Sequence, residues 1–292
     1  MNRLRFLAIT LILCLMTGTA LGAESKKAFM LTAFGTTTGA SVTFDEFVTL
    51  VKKEFPDRDV VIPYTSSIIR EKLNKNITDP AKKLLSPAEM LTQLKEKGYT
   101  DIAVASTLVF PGIEHDKIQM TVNTFTASNT DVKVTYLPPM LALPAMLQPV
   151  VDSLKNSINN NAFNVVVTHG THKGHPVEEK YKDLAVAVAK TYPNTLVASI
   201  EGIPSMKEAM QQVAKQPRKN VQFIVFMFVA GDHAENDIAG NEEDSLFSLV
   251  IKMGKKPVVH HVETSAGQRI LSLGLDDAYR SLLLKHYKSN IQ

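Results

Sequence analysis

Short runs of apolar, β-branched residues alternate with amphipathic stretches along most of this chain. Each such run predicts a buried strand of a parallel sheet. The predicted strands cover residues 28–33, 60–64, 102–110 and 132–136 in the first half, and 164–168, 195–200, 221–228 and 257–262 in the second. Helical spacing of apolar residues predicts helices between the strands, for example over 43–55 and 177–192. This alternation predicts a doubly wound α/β fold that is formed twice.

The two halves resemble each other position by position. Four residues of the first predicted helix and the proline after it recur in the second half with the same spacing: Phe44, Phe47, Val51, Phe55 and Pro56 match Tyr181, Leu184, Val188, Tyr192 and Pro193. We interpret the chain as an internal duplication of one α/β unit. The strand-end loops of the two lobes are expected to face each other across a central cleft. The lobes are predicted to span 24–145 and 146–292, and the final helix is predicted to pack back on the first lobe.

Three strand-end positions differ between the two copies. Phe34, Tyr64 and Glu114 in the first half correspond to His169, Glu201 and His233 in the second. Parallel strands bring their carboxyl ends to one edge of a sheet, so residues distant in sequence can converge there. The second half is therefore expected to form a metal-binding wall, facing an aromatic wall that contains Phe34, Tyr64 and one carboxylate.

Two imidazoles and a carboxylate form a ligand set suited to divalent cobalt, iron, nickel or zinc. This predicts metal binding by His169, Glu201 and His233. The simpler alternatives are hydrogen-bonded structural histidines and, for Glu201, a carboxylate at a helix start. His172 and His175 follow His169 in the same loop. They are either secondary ligands or part of a flexible, exposed loop.

The first 23 residues have the parts of a secretory signal peptide. Arg3 and Arg5 precede an apolar run over 6–16, and small residues follow it up to Ala23. This predicts cleavage and a periplasmic mature protein; the alternative is an uncleaved membrane anchor. The single cysteine, Cys14, lies in this segment, so the mature protein is expected to lack thiols and disulfides.

Charge and glycine motifs exclude two classes of partner. The chain has 292 residues, of which 32 are Lys or Arg and 29 are Asp or Glu, and this balance with a net charge of +3 argues against nucleic acid as a partner. The stretch from Gly35 to Gly39 reads Gly-Thr-Thr-Thr-Gly and lacks the Lys-Ser/Thr ending of a phosphate-binding loop. No nucleotide cofactor is therefore expected.

Several motifs form a specific set: His169-Gly170-Thr171 and the stretches 109–114, 198–205, 231–237 and 242–245. Together they resemble the anaerobic sirohydrochlorin cobaltochelatases, a branch of the class II chelatases that includes ferrochelatase. The resemblance implies ATP-independent insertion of cobalt(II), with iron(II) as an alternative metal, into the tetrapyrrole sirohydrochlorin during anaerobic cobalamin biosynthesis. It also implies metal binding by His169, Glu201 and His233 and proton transfer by Glu114. A neutral His169 can release the metal and then accept a proton.

Two other functions are compatible with this sequence. An exported chelatase can serve instead as a carrier of metal, haem or another tetrapyrrole, with a surface histidine such as His115 as a haem ligand. A periplasmic solute-binding receptor of two α/β lobes also fits the export signal and the cleft, but it does not fit the motif over 231–237. The sequence leaves the oligomeric state open, and a homo-oligomer is one option.

Overall fold

The computed structural model describes residues 25–291, so the predicted signal segment over 1–23 lies outside the described residues. Within this range the chain forms two four-stranded parallel sheets. The first contains β1 (Lys26–Thr32), β2 (Asp59–Val61), β3 (Tyr99–Ser106) and β4 (Lys133–Leu137). The second contains β5 (Phe163–Gly170), β6 (Thr195–Glu201), β7 (Asn220–Val225) and β8 (Lys256–Val259). The strand orders, β2-β1-β3-β4 and β6-β5-β7-β8, are equivalent and confirm the predicted pair of doubly wound lobes.

Helices connect the strands and cover the sheets. Those of the first half are α1 (Val42–Glu54), α2 (Ser67–Asn74), α3 (Pro87–Glu96) and α4 (Ile113–Ser128). The later ones are α5 (Leu147–Ser153), α6 (Glu178–Thr191), α7 (Met206–Lys215), α8 (Leu246–Lys252) and α9 (Asp277–Asn290). In the range 25–291, no helix is long and apolar enough to span a membrane.

Local sequence signals set the starts of several helices. Ser86 caps α3 in a reciprocal capping box with Glu89, and Pro87 occupies the first helical position, where its missing N–H costs no hydrogen bond. The side chains of Ser66 and Ser205 accept backbone N–H groups at the starts of α2 and α7. These caps place α2 and α7 directly after the ends of β2 and β6, and so help to shape the loops at the carboxyl edges of the two sheets.

Three strands end earlier than the apolar pattern predicts, and one of them is β2, which ends at Val61 instead of residue 64. β3 ends at Ser106 and β7 at Val225, whereas the predicted strands extend to residues 110 and 228. Beyond the ends of β3 and β7, contacts between the lobes bury the Phe228 side chain and partly bury the Phe110 side chain. The Phe110 ring stacks on Tyr181 with 3.8 Å between centroids, and the Phe228 ring lies 6.1 Å from Phe44. Since Phe44 and Tyr181 occupy corresponding positions, each lobe contributes an equivalent aromatic contact to the other.

The predicted strand over 257–262 is also wrong in one respect. It breaks at His260, and β9 (His261–Thr264) then pairs antiparallel with β10 (Gly267–Ile270) as a separate hairpin. This hairpin contacts the first lobe: the Ser265 N–H donates to Glu46 Oε1 over 3.0 Å, and Arg269 Nε donates to the Gly39 carbonyl over 3.2 Å.

The C-terminal helix joins the two lobes. Tyr287 of α9 is fully buried, and its ring lies 5.4 Å from that of Phe29 in β1. Its hydroxyl donates to the Ser106 carbonyl at the end of β3 over 3.1 Å. One continuous apolar core therefore includes residues of both sheets and of α9, so the carboxyl edges of the sheets are held in a defined relation to each other.

Candidate metal centre

Equivalent glycine turns end β1 and β5. Gly35 and Gly170 have φ values of +99° and +88°, a backbone conformation that favours glycine. A Cβ at Gly170 would lie 1.7 Å from the Glu201 carbonyl oxygen, and a Cβ at Gly35 would lie 2.6 Å from the Tyr64 ring. Both turns thus need a residue without a side chain, and they fix the positions of His169 and Phe34 immediately before them.

The structure brings His169 and His233 together. Their ring centroids are 5.0 Å apart and the ring planes form an angle of 80°. His169 is the exposed penultimate residue of β5, directly after the fully buried Thr168. His233 is the first residue of a π-helix, His233–Ile238, that follows β7. Single π-helical turns are rare and occur often at functional sites.

Hydrogen bonds orient the two imidazole rings. His233 Nδ1 lies 2.6 Å from Asp237 Oδ2, and since an ionised carboxylate only accepts, Nδ1 is the donor. His169 Nδ1 lies 3.4 Å from the Gly170 carbonyl oxygen. In both residues this leaves Nε2 with the lone pair that a metal ion requires.

Glu201, the third predicted ligand, has a different neighbour. In the parallel ladder it is paired with Gly170, one residue beyond His169. Its Oε2 lies 3.8 Å from Nδ1 of His172. Within residues 25–291, no three His, Cys, Asp or Glu side chains are grouped so as to hold a metal ion. The structure therefore pairs His169 with His233 and does not gather Glu201 with them, so the complete ligand set remains a prediction.

The opposite wall differs in part from the prediction. Phe34 is 47% exposed, but Tyr64 is only 7% exposed, so the prediction of Tyr64 as aromatic surface is wrong. The Gly35 turn and the Phe44 ring, 5.5 Å away, cover Tyr64. This burial raises the pKa of the Tyr64 phenol.

Glu114 lies in the first turn of α4, after β3, and thus follows the strand equivalent to the one that precedes His233. Its Oε1 accepts a hydrogen bond from Lys117 Nζ over 2.6 Å. The other carboxylate oxygen, Oε2, is buried and has no hydrogen-bond partner within the protein. Position and free acceptor capacity are compatible with proton transfer, which remains a prediction for Glu114.

His115 is not a surface histidine, and this part of the prediction is wrong. It is only 7% exposed, and its Nδ1 lies 2.8 Å from the Tyr136 hydroxyl. Burial lowers the pKa of His115, because the charged imidazolium is poorly solvated there. The role of His115 as a haem ligand stays a prediction.

Tyr181 supports the metal-binding wall, although its sequence pattern indicated only a core residue. Its hydroxyl donates to the Gly170 carbonyl over 3.0 Å, while its ring stacks on Phe110 of the other lobe. The sequence contained a signal for this role, because Tyr181 carries a hydroxyl group where its counterpart in the first half, Phe44, has none.

Thr36 and Gly231 form a second contact between the lobes: a Cβ at Gly231 would lie 3.0 Å from Thr36 Oγ1.

Two equivalent parallel sheets with paired histidines at one carboxyl edge define a two-lobed α/β protein with a candidate metal centre. Solved structures with this fold include two of SirB, one from Bacillus subtilis with Fe3+ and one from Bacillus subtilis subspecies spizizenii in complex with cobalt. Both have a TM-score of 0.61, with 13% and 14% identity, and the match covers 91% of this chain and 96% and 95% of theirs. CbiX, described as the terminal enzyme for biosynthesis of siroheme in denitrifying bacteria, has a TM-score of 0.53, 12% identity, and coverage of 91% and 100%.

The chain belongs to the cobalt chelatase (CbiK) family, whose model matches residues 27–292. A sirohydrochlorin cobaltochelatase, CbiKC, from Nitratidesulfovibrio vulgaris (strain Hildenborough) is 26% identical over 226 residues, which cover 76% of this chain and 78% of the relative. The sirohydrochlorin cobaltochelatase of Salmonella typhimurium (strain LT2) is also 26% identical over 228 residues, covering 75% and 83%. Family membership and fold therefore agree with the class II chelatase resemblance of the motifs.

Proposed function

We propose that this protein is a metal chelatase that inserts divalent cobalt into sirohydrochlorin without a nucleotide. The observation that carries the proposal is the His169 and His233 pair, with 5.0 Å between ring centroids, in a chain of the cobalt chelatase family. Relatives named sirohydrochlorin cobaltochelatase supply the substrate class. Iron(II) is the second candidate metal, because a SirB structure of the same fold was solved with Fe3+.

The metal side of the reaction requires donors that bind cobalt firmly and still release it. Neutral imidazoles are such donors, and imidazole suits first-row divalent metals. Asp237 holds the His233 ring in the tautomer whose Nε2 carries the lone pair, so the proton need not move to the other nitrogen when the metal arrives. As the macrocycle takes the metal, each released imidazole regains a lone pair and can accept a proton.

The proton side requires a base, because the macrocycle loses two pyrrole protons when the metal enters. His169 is exposed at the end of β5 and is assigned one of these protons. Glu114 is assigned the other, since its Oε2 is an acceptor without a protein partner. A carboxylate on the lobe opposite the histidines allows the two protons to leave from different sides of the substrate.

An apolar rim on the first lobe offers a surface for the macrocycle. Ile68, Phe34 and Ile113 are 75%, 47% and 42% exposed. They follow β2, β1 and β3, which are consecutive in the sheet, and the Ser66 N–H donates to the Phe34 carbonyl over 3.3 Å. Thr36 of the first lobe lies close to Gly231 of the second. Phe34 is two residues from Thr36, and His233 is two residues from Gly231. This placement supports a rim that faces the metal-binding wall.

Anaerobic absorbance spectroscopy tests the proposal directly. Purified protein is mixed with sirohydrochlorin and cobalt(II) or iron(II), and formation of the metallated macrocycle is followed over many equivalents. An enzyme continues past one equivalent, whereas a carrier saturates at one. Insertion no faster than in protein-free mixtures would refute the chelatase proposal.

We also propose that the protein acts after export, on the basis of the signal-like pattern over residues 1–23. Intact-mass measurement of protein from the periplasmic fraction is the test. A mature chain that begins between residues 20 and 26 is expected, and retention of residues 1–20 in the soluble protein would contradict it.

A further inference from the structure

The loop after β5 carries a histidine that the proposed insertion chemistry does not use. The His172 side chain is 81% exposed, and the Glu201 side chain beside it is 45% exposed. The loop begins at the Gly170 turn and contains Gly174, whose φ of +89° gives a second glycine turn. His172 thus lies at the surface, three residues beyond His169.

The distance between His172 and Glu201 fits a shared metal ion better than a hydrogen bond. His172 Nδ1 and Glu201 Oε2 are 3.8 Å apart, too far for a hydrogen bond between nitrogen and oxygen. One divalent ion with bonds of about 2.0–2.2 Å to each atom can join two donors up to roughly 4.2 Å apart. The two side chains can therefore bind the same ion with little movement.

His175 lies in the same loop, but one of its ring nitrogens already takes part in a hydrogen bond. Its Nδ1 accepts the Val177 backbone N–H over 3.2 Å, and the Gly174 N–H donates to Glu178 Oε1 over 3.0 Å. These bonds fix the second half of the loop against the start of α6. His175 is therefore a matched control: it is an imidazole of the same loop whose Nδ1 is already engaged.

We infer that His172 and Glu201 form an outer capture site for the divalent metal substrate, ahead of the His169 and His233 centre. The inference rests on the proposed function for the destination of the metal. Glu201 is also the carboxylate predicted for that inner centre, so it can hold the ion while His172 is exchanged for an inner imidazole. The transfer is a ligand exchange: one imidazole bond breaks, another forms, and the metal keeps its charge.

The acidic π-helix favours the same direction of transfer. Asp237 bonds to the His233 ring and Asp232 accepts from Asn236 Nδ2 over 2.9 Å, so two carboxylates flank the inner histidine. Negative charge at the inner centre attracts a divalent cation from the outer pair. His172 is exposed to solvent and can bind the ion first, and the more acidic centre at His233 then attracts it. This arrangement is a physical basis for rapid metal uptake.

Cobalt association with the full-length mature protein, measured by stopped-flow without tetrapyrrole, tests the capture site. His172→Ala and His172→Arg are compared with His175→Ala and with the wild type. Both His172 variants are expected to bind cobalt about tenfold more slowly or worse, within the range by which local steering changes association rates. The Arg variant matters because it keeps a long polar side chain beside Glu201 but removes the metal ligand. Wild-type association in both His172 variants, or in the Arg variant alone, would overturn the capture site.

Insertion assays at several cobalt concentrations separate this inference from the proposed function. The loss of rate in His172→Ala is expected to be largest at limiting cobalt and to shrink as cobalt is raised. If cobalt association depends on His172 but the wild type inserts no metal, the capture site is supported and the chelatase proposal fails. If insertion proceeds and the His172 variants are as fast as the wild type at limiting cobalt, the capture site fails alone.

Discussion

The imidazole rings of His169 and His233 meet edge to face, with centroids 5.0 Å apart and planes at 80°. One ring belongs to the penultimate residue of a strand and the other to the first residue of a π-helix, so each histidine stands at the end or the start of an element. Asp237 fixes the His233 ring through Nδ1, and Tyr181 holds the Gly170 turn beside His169. The pair is thus positioned by contacts within the second lobe, and Phe110 of the first lobe packs on the Tyr181 ring.

Removing either histidine is expected to abolish most metal binding and insertion. His169→Ala and His233→Ala each delete a nitrogen donor, and the loss of cobalt affinity should exceed the roughly 10- to 100-fold effect typical of an outer hydrogen-bond partner. Calorimetric titration with cobalt and the insertion assay measure this. His260→Ala is the control, since His260 lies in the bend between β8 and β9. Wild-type insertion in both single variants would refute the assignment.

Asp237 is expected to act through the orientation of His233. Asp237→Asn replaces the carboxylate that accepts the Nδ1 proton, so cobalt affinity should fall about 10- to 100-fold while the fold is kept. Asp232→Asn is the matched control on the same π-helix, because Asp232 bonds to Asn236 and not to a histidine. Equal effects of the two substitutions would indicate that only the local negative charge matters.

Glu114→Gln separates proton transfer from metal binding. The variant keeps the shape of the side chain but cannot accept a proton, so the insertion rate should fall by about 100- to 10,000-fold. Cobalt affinity should stay close to that of the wild type. Lys117→Met removes the ion-pair partner of Glu114 and tests whether that bond alone matters. An unchanged insertion rate in Glu114→Gln would exclude Glu114 as the proton acceptor.

Phe34→Ala tests the apolar rim as the surface for the macrocycle. A half-exposed phenyl ring that becomes covered contributes roughly 1–2 kcal/mol, so the KM for sirohydrochlorin should rise about 5- to 30-fold. Cobalt binding without tetrapyrrole should not change. Met120→Ala, at a 65% exposed position further along α4, is the control. Equal KM values for the Phe34 variant and the control would remove the rim from the substrate site.

His286 predicts a pH dependence of stability. It is 9% exposed in α9, and burial lowers the pKa of its imidazole below the usual 6.5. The unfolded chain therefore takes up this proton more readily, and stability should fall as the pH drops from about 6.5 towards the lower folded-state pKa. His286→Gln removes the titrating group and should flatten this part of the profile. Thermal unfolding at pH 8 and pH 5.5 measures it, with the exposed His261→Gln as control.

The apolar pattern alone was sufficient for the strand positions and the duplication. β-branched runs identify buried strands whatever covers them, and each strand predicted in the two sheets is present. The glycine turns after β1 and β5 were also visible as the matched segments that contain Gly35 and Gly170. Strand positions and glycine turns can be predicted from local residue spacing, because they depend on backbone conformation and on whether a segment is buried, not on which residues cover it.

The same pattern was misleading where burial came from the other lobe. Phe110 and Phe228 have the apolar character of strand residues, but they lie beyond the strand ends, where aromatic contacts between the lobes bury Phe228 and partly bury Phe110. Tyr64 and His115 were placed at the surface because they stand near strand ends. Their burial depends on Phe44 and Tyr136, which reach them only in the folded protein.

The sequence by itself determined the two-lobed α/β fold and the strand-end positions of His169, Glu201 and His233. Only the tertiary structure decided how these side chains are grouped: His169 with His233, and Glu201 with His172. The physical reason is that parallel strands bring distant residues to a common edge, whereas the direction of each side chain there is set by the turn or π-helix that follows. Those directions depend on contacts such as Asp237 with His233 inside the π-helix and Tyr181 of α6 with Gly170 at the end of β5.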